Sequence, residues 1–366
     1  MRRPLPSLPV LVNLLPLVLT LAVVTACAPK LDTSALPPAP PPTPIMLPPV
    51  TFPADEAPHQ DLTEWWYYTG HLEADDGRQW GFELVTFQVL RTTLQPLYIS
   101  HFAITDQQRG QFQYVVKGSQ GPQAQPPLGF AFDVDGQRMN GLNGSDALQA
   151  SLDGYKVDLR LHTERPPVLH GGGLVTFGPA GDSYYYSRTS MNLSGTIEDH
   201  GQPVAVHGLA WFDKQWGNFL VMGGGWDWFS IQLDDGTDVM LNLIRDRQGI
   251  VQLAYGTYVS PDGTFHNLDG NQFAVAPLGS WTSPHTGITY PSGWHATVGG
   301  TTLDLTLQPV IPDQELDTHE STGLIYWEGA QSVSGTLDGR PIAGKGYVEL
   351  VGYDAKPGTA SRSSRP

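Results

Sequence analysis

A chain of 366 residues with a formal charge of −16 and one cysteine excludes two possibilities at once: its surface repels nucleic-acid phosphates and anionic headgroups, and a lone thiol closes no internal disulfide. Its 41 glycines and 32 prolines leave little room for long helices, and no segment sustains apolar residues at i, i+3, i+4 and i+7.

Residues 1–26 have the layout of a signal peptide: Arg2-Arg3, an apolar run from Leu8 to Val24, then small residues. Pro9 and Pro16 interrupt a run already shorter than the roughly 20 apolar residues a membrane-spanning helix needs. Val24-Thr25-Ala26-Cys27 resembles a lipobox, which makes Cys27 the expected lipidation site and places the mature protein in the cell envelope, facing outside the cytoplasm. Loss of Arg2 and Arg3 takes the charge from −16 to −18, because no Asp or Glu precedes Cys27. Acyl chains, not electrostatics, are therefore the expected hold on the membrane. Residues 27–51 read as a tether, since Ala35 to Pro49 is a polyproline II sequence. At about 3.1 Å per residue, roughly 15 residues reach some 45 Å.

From Phe52 onward short alternating runs dominate. Gly81–Val89, Tyr155–Leu161, Val239–Ile244 and Leu303–Leu307 read as strands, and Asp-Gly pairs at Asp76, Asp135, Asp153, Asp235, Asp262 and Asp338 read as hairpin turns. The expected class is all-β, with antiparallel meanders closed into barrels to remove their edges.

The pattern occurs twice. Trp65-Trp66-Tyr67-Tyr68 leads through Leu72 to Asp75-Asp76-Gly77, as Trp226-Asp227-Trp228-Phe229 leads through Leu233 to Asp234-Asp235-Gly236. Leu193-Ser194-Gly195-Thr196 and Gly208 find their counterparts in Val333-Ser334-Gly335-Thr336 and Gly344. Two related β domains are expected over 52–221 and 222–354, followed by a disordered tail over 355–366. The stretch Gly118 to Gly129 is the expected inserted loop of the longer first copy.

Glu64-Trp65-Trp66-Tyr67-Tyr68-Thr69-Gly70-His71-Leu72, His101-Phe102-Ala103-Ile104-Thr105-Asp106, Ser183-Tyr184-Tyr185-Tyr186-Ser187-Arg188-Thr189 and Gly208-Leu209-Ala210-Trp211-Phe212-Asp213 resemble the AttH-like, carotenoid 1,2-hydratase superfamily. The resemblance runs from about Pro58 to Tyr353 and implies two tandem lipocalin-like antiparallel β-barrels. It also implies a catalytic carboxyl at an aromatic-x-Asp strand, here Trp211-Phe212-Asp213. The hydratases' upstream His-x-Trp pair falls on Tyr184-Tyr185-Tyr186, so its histidine is replaced. Gln215-Trp216 also departs from the acidic residue that related secreted members place before the tryptophan.

Alkene hydration needs an acid strong enough to make a tertiary cation, aromatic rings to stabilise that cation, and a water on one face. A carboxyl buried among aromatics supplies the first, because desolvation keeps it protonated. The candidate catalytic set is Asp213 with Trp211, Tyr184 and Tyr186; the bland alternative is an Asp that ends its strand on a turn. On the first strand of the barrel, alternation puts Glu64, Trp66 and Tyr68 on one face and Trp65 and Tyr67 on the other. Glu64, Trp66, His71, Arg91 and Arg188 form the candidate ligand-binding set, or else core packing, with Arg91, Arg188 and Arg245 as ion-pair partners.

No His-x-His or His-Glu-x-x-His spacing supports a metal, no Gly-x-Ser-x-Gly supports a serine nucleophile, and Gly223-Gly224-Gly225 lacks a nucleotide-loop context. Two functions follow. One is a cofactor-free, carotenoid 1,2-hydratase-like hydro-lyase acting on an apolar isoprenoid or fatty ligand. The other is a carrier or scavenger that holds such a ligand in a barrel, or in the groove between the barrels, without changing it.

Overall fold

The computed structural model describes residues 47–90, 95–177, 181–219 and 224–354. The expected signal peptide, Cys27, most of the tether, Arg91 and the tail after Asp354 lie outside them. Two antiparallel sheets account for nearly everything else. The first holds β1 (Thr63–Glu73), β2 (Gln79–Val89), β3 (Leu97–Asp106), β4 (Gln111–Gln120), β5 (Phe130–Val134), β6 (Gln137–Leu142), β7 (Ser145–Leu152), β8 (Tyr155–His162), β9 (Val168–Thr176), β10 (Asp182–Asp199) and β11 (Gln202–Gly217). The second holds β12 (Gly224–Leu233), β13 (Asp238–Asp246), β14 (Val251–Val259), β15 (Phe265–Asp269), β16 (Phe273–Thr282), β17 (Thr289–Val298), β18 (Leu303–Pro309), β19 (Glu315–Thr318), β20 (Leu324–Leu337) and β21 (Arg340–Val351).

The strand orders repeat. The first sheet runs β4-β3-β2-β1-β11-β10-β8-β7-β6-β5 with β9 on β10, and the second runs β15-β14-β13-β12-β21-β20-β18-β17-β16 with β19 on β20. Removing one strand from the β5–β8 run makes the two orders match. Much of the extra length of the first copy is therefore one more strand. Gly118 to Gln120 do not open the expected loop, because they pair with Leu97 to Ile99 and extend β4. The first sheet curls until β3 and β4 meet β5 and β7, as a sheet closing into a barrel must to shelter its edges.

Alternation then decides what each face buries. Trp66, Tyr68, Leu72, Phe82, Leu84 and Phe212 fill the first barrel, and Phe229, Ile231, Leu241, Trp327, Val348 and Leu350 fill the second. Residues one step out of phase, Tyr67, Val85, Trp211, Trp228, Met240 and Tyr347, form a third apolar cluster between the barrels. Both sheets are thus buried on two faces along β1, β11, β12 and β21. This explains why β1 is apolar almost throughout rather than cleanly alternating.

Two repeated signals have geometric reasons. Asp135 and Gly136, between β5 and β6, have φ of 51° and 88°, the paired left-handed conformation of a two-residue hairpin. Gly208 and Gly344, equivalent in the two copies, lie where a Cβ would come within 1.9 Å of the His71 carbonyl oxygen and 2.3 Å of that of Gln232. Only glycine permits that approach of β11 to β1 and of β21 to β12.

Candidate active site between the barrels

The register fixes which side chains share the seam. Across β1 and β11, Tyr67 is the Cα partner of Asp213, and across β12 and β21, Trp228 is the partner of Glu349. Tyr67 and Trp228 meet edge to face with ring centroids 5.5 Å apart. Around them lies a cavity of about 280 Å³ lined by Trp65, Phe87, Ile99, Phe177, Trp226 and Leu324 among others, with Glu83, His101, Asp213, Asn242, Tyr326 and Glu349 among its polar members. Its walls come from β1, β2, β3 and β11 of one barrel and β12, β13, β20 and β21 of the other.

Asp213 lies within β11 rather than at its end, and its carboxyl accepts from side chains rather than from a turn. Trp211 Nε1 donates to Oδ1 at 2.6 Å, Tyr185 donates to Oδ2 at 2.6 Å, and the Ser187 hydroxyl lies in close hydrogen-bond contact with Oδ1. Trp228 Nε1 in turn donates to the Tyr185 oxygen at 3.0 Å. Burial pushes the Asp213 carboxyl up to about 7, against the downward pull of its hydrogen bonds with Ser187, Tyr185 and Trp211.

A hydrogen count points the same way. Gly171 N donates to Asn267 Oδ1 at 3.0 Å, which fixes the amide; the Thr257 hydroxyl donates to the same oxygen at 3.0 Å. His170 Nδ1, 2.8 Å from Thr257 Oγ1, must then carry the ring proton, so Nε2, 2.6 Å from Ser187 Oγ, is the acceptor. Burial holds His170 down at about 3, hence neutral. With the Ser187 proton directed to His170, the contact between Ser187 and Asp213 is satisfied by a proton on the carboxyl. The chain joins Asp213 in the first barrel to Thr257 in the second.

Three further acids share the seam. Tyr326 donates to Glu83 Oε1 at 3.0 Å, Tyr67 donates to Glu328 Oε1 at 2.9 Å, and Trp226 Nε1 donates to Glu349 Oε2 at 2.7 Å. Burial raises all three, Glu83 to about 8, Glu349 to about 7, and Glu328 well above the ordinary carboxylate range with help from the charges of Glu83 and Glu349.

The sequence candidates divide between two places. Asp213 and Trp211 stand together in the seam, and His71 lies in it too, with Nε2 3.0 Å from the Gly346 carbonyl and its ring 5.3 Å from Tyr347. Tyr184, Tyr186, Glu64 and Trp66 face the first barrel instead. Tyr184 stacks on Trp216 at 4.9 Å, and Tyr186 meets Phe212 at 6.0 Å. Between them in sequence, Tyr185 is the tyrosine that turns to Asp213. Glu64 is paired with Lys214, whose ammonium lies 3.8 Å from the Trp66 ring centroid. His59 Nδ1 reaches Glu64 at 2.7 Å.

The expected arginine partners therefore give way to these two residues. Lys214, the partner of Trp66 in the register, is a diagonal neighbour of Glu64 on the same face and needs no longer reach. Arg188 pairs with Glu56 and Arg245 with Asp227. Tyr67, Glu83, His101, His170, Tyr185, Ser187, Trp228, Tyr326 and Glu349 were not singled out by sequence. For Tyr185 and Ser187 a usable signal exists: period two puts them on one face, as it does Trp211 and Asp213.

With this geometry in hand, comparisons place the chain among known proteins. The AttH-like family model matches residues 43–353. A kievitone hydratase of Fusarium solani subsp. phaseoli is 26% identical over 192 residues, covering 50% of this chain and 52% of that protein. The chain thus spans about half the length of the curated relative it matches. Among solved structures, an AttH-type protein of Nitrosomonas europaea is similar with a TM-score of 0.75 at 31% identity, covering 87% of this chain and 100% of that one. Kievitone hydratase of Nectria haematococca shares the fold with a TM-score of 0.67 at 18% identity, covering 83% and 93%.

Proposed function

The chain belongs to the AttH-like family, and from that premise we propose that it is a cofactor-free hydro-lyase, adding water across an alkene of an apolar isoprenoid or fatty ligand seated between the barrels. One observation carries this reading: a cavity-lining carboxyl, Asp213, that burial keeps protonated to about pH 7 among aromatic rings. The partial likeness to a kievitone hydratase supports hydration as the reaction class, and the resemblance to carotenoid 1,2-hydratases supports isoprenoid ends as ligands.

In the reaction Asp213 transfers the proton it shares with Ser187 to the less substituted alkene carbon, and the tertiary cation forms beside Tyr67, Trp228 and Trp65. Ring faces near a cation contribute about 0.5–2 kcal/mol each in a dry site. Water then adds to the cation and returns a proton to the carboxylate, so that alkene and water become an alcohol. Tyr185, Ser187 and Trp211 hold the carboxyl in place throughout. Lipidation at Cys27 would keep this chemistry in the cell envelope, where apolar ligands partition.

A second reading, carriage or scavenging of the same ligand, is favoured by the predominantly apolar lining of the cavity. The two readings separate in ¹⁸O-labelled water. Incubation with acyclic carotenoid ends and with terpene or fatty-acid alkenes should give labelled alcohol with wild type and none with Asp213→Asn. Binding of those ligands without label in wild type sinks the hydratase and leaves the carrier.

A further inference from the structure

The two ends of the strands carry opposite chemistry. Asp-Gly turns at Asp76, Asp135, Asp153, Asp235, Asp262 and Asp338 all join strands at the end where β1 and β12 finish. No large apolar side chain is exposed on those six turns. At the other end, where β1 and β12 begin, Phe52, Leu97, Leu128 and Leu142 of the first barrel and Ile250 and Val251 of the second are exposed, the last two by 59% and 47%. The pairing fixes their place. Leu97 pairs with Val89, which pairs with Thr63 at the start of β1; Asp246, whose N–H donates to the Ile250 carbonyl at 3.0 Å, pairs with Gly224 at the start of β12. Tyr114, Leu209 and Leu278 are exposed within strands. Scattered apolar side chains on a surface need no explanation, but a concentration of them at one end does.

The cavity reaches the surface at this same end. Leu97 and Ser321 both line it and are exposed, and Trp65, Phe87, Phe177 and Trp226 stand half-buried around the opening. Half-buried tryptophans suit the boundary between water and lipid, since the ring is apolar and the N–H is not. The chain also enters here. Val50 packs on the core of the first barrel, and the Phe52 ring meets Tyr186 edge to face at 4.8 Å. The 46 residues before the described part, with the apolar run from Leu8 to Val24 and Cys27, are thus joined to the body at its apolar end.

We propose that this end is a docking surface for a lipid bilayer, which sets the mouth of the cavity against the acyl region so that an apolar ligand enters without crossing water. Binding of this kind scales with the apolar area that the lipid covers. Asp182 and Glu320 are exposed at the same end and oppose anionic headgroups, so the bilayer that fits is zwitterionic. The acidic turns then point into water, where like charges stay apart. The ligand's route rests on the function proposed above, whereas the docking does not.

A fluorophore sensitive to its surroundings, placed on one introduced cysteine in the full chain with Cys27→Ser, tests the orientation. With phosphatidylcholine vesicles, a label at Ile250→Cys or Leu97→Cys should brighten and be quenched by lipids that carry a spin label on the acyl chain. A label at Asp262→Cys, on an acidic turn, should do neither. Adding Ile250→Asp and Val251→Asp to the Leu97→Cys chain should lower its ratio of lipid-bound to free label about tenfold. Partial replacement of phosphatidylcholine by phosphatidylglycerol should weaken binding at low salt. The apolar leader alone holds the chain to a vesicle without choosing which end faces it, so equal quenching at 250 and 262 overturns the proposal, as does none at 250. Brightening at 250 that follows protein concentration in the absence of vesicles overturns it too, and makes a second copy of the chain the occupant. No ligand is added in these measurements, so absence of ¹⁸O incorporation would remove the hydratase without touching the docking.

Discussion

Asp213 and Glu349 occupy one position in two copies of the same unit. Each is the cross-strand partner of an aromatic residue at the seam, Tyr67 and Trp228 respectively, and each lines the cavity with a carboxyl raised to about 7. Their surroundings differ. Asp213 accepts from Tyr185 and Trp211 and shares a proton with Ser187, whereas Glu349 receives one hydrogen bond, from Trp226.

That asymmetry predicts unequal substitutions. Asp213→Asn should lower the hydration rate by at least about 100-fold, the usual contribution of a positioned general acid. Glu349→Gln should lower it by less than about tenfold. Steady-state rates of alcohol formation measure both, and equal effects would contradict the assignment of the acid to Asp213.

The rate should follow the protonated form of Asp213, falling as pH rises through about 7. Trp211→Phe removes a donor that favours the carboxylate, so this limb of kcat/KM should move to higher pH. A limb that stays fixed, or moves down, would exclude control by Asp213.

Stability should also depend on pH in an unusual direction. Glu83, Glu349 and Asp213 have folded pKa values raised above 4.5, 4.5 and 3.8 to about 8, 7 and 7, so the folded state retains protons that the unfolded chain has lost. Their contribution is fully present below the unfolded values and is lost as pH rises through 7 to 8. His71, His101 and His170 are lowered from 6.5 to about 3, which works the opposite way but only below about 6.5. Calorimetry should therefore show Tm falling between pH 6.5 and 8, and the fall should shrink in a Glu83→Gln, Asp213→Asn double variant.

His170 should report its tautomer directly. Nitrogen-15 NMR of histidine-labelled protein should find the Nδ1–H form, with no titration between pH 5 and 8. A protonated ring, or an Nε2–H tautomer, would remove the argument that places a proton on Asp213.

Inside the first barrel, Glu64 and Lys214 are buried as an ion pair. Lys214→Met should cost about 3 kcal/mol by leaving a charge without its partner, and Glu64→Gln added to it should recover most of the loss. Urea unfolding of the two single variants and the double variant measures the coupling.

Much of the fold was legible because repetition and alternation are properties of the chain itself. The Trp65 and Trp226 motifs and the glycines Gly208 and Gly344 announced two copies, and runs such as Gly81–Val89 announced strands. Asp213 was legible through its family motif and aromatic neighbours. Its partners were less so. Alternation separates Tyr185 from Tyr184 and Tyr186, but which face meets Asp213 depends on the β10–β11 register, which pairs Ser187 with Asp213. Glu83, His101 and Glu349 were harder still, since strands buried on both sides lose the polar alternation that marks an exposed face. Glu83 and Glu349 are charged residues in otherwise apolar runs, and only the docking of one barrel on the other shows that they converge.

The hydrogen-bonded line from Asp213 through Ser187 and His170 ends on Thr257 of the other barrel, and the two barrels meet through equivalent strands. A seam of this kind is the contact a homodimer of single barrels would make. Such an ancestor would have carried two identical half-sites related by symmetry, each forced to hold the same residue at the position now occupied by Asp213 and Glu349. Joining the copies in one polypeptide released that constraint. The two positions could then diverge into an aspartate with three side-chain partners and a glutamate with one, a difference no symmetric assembly allows.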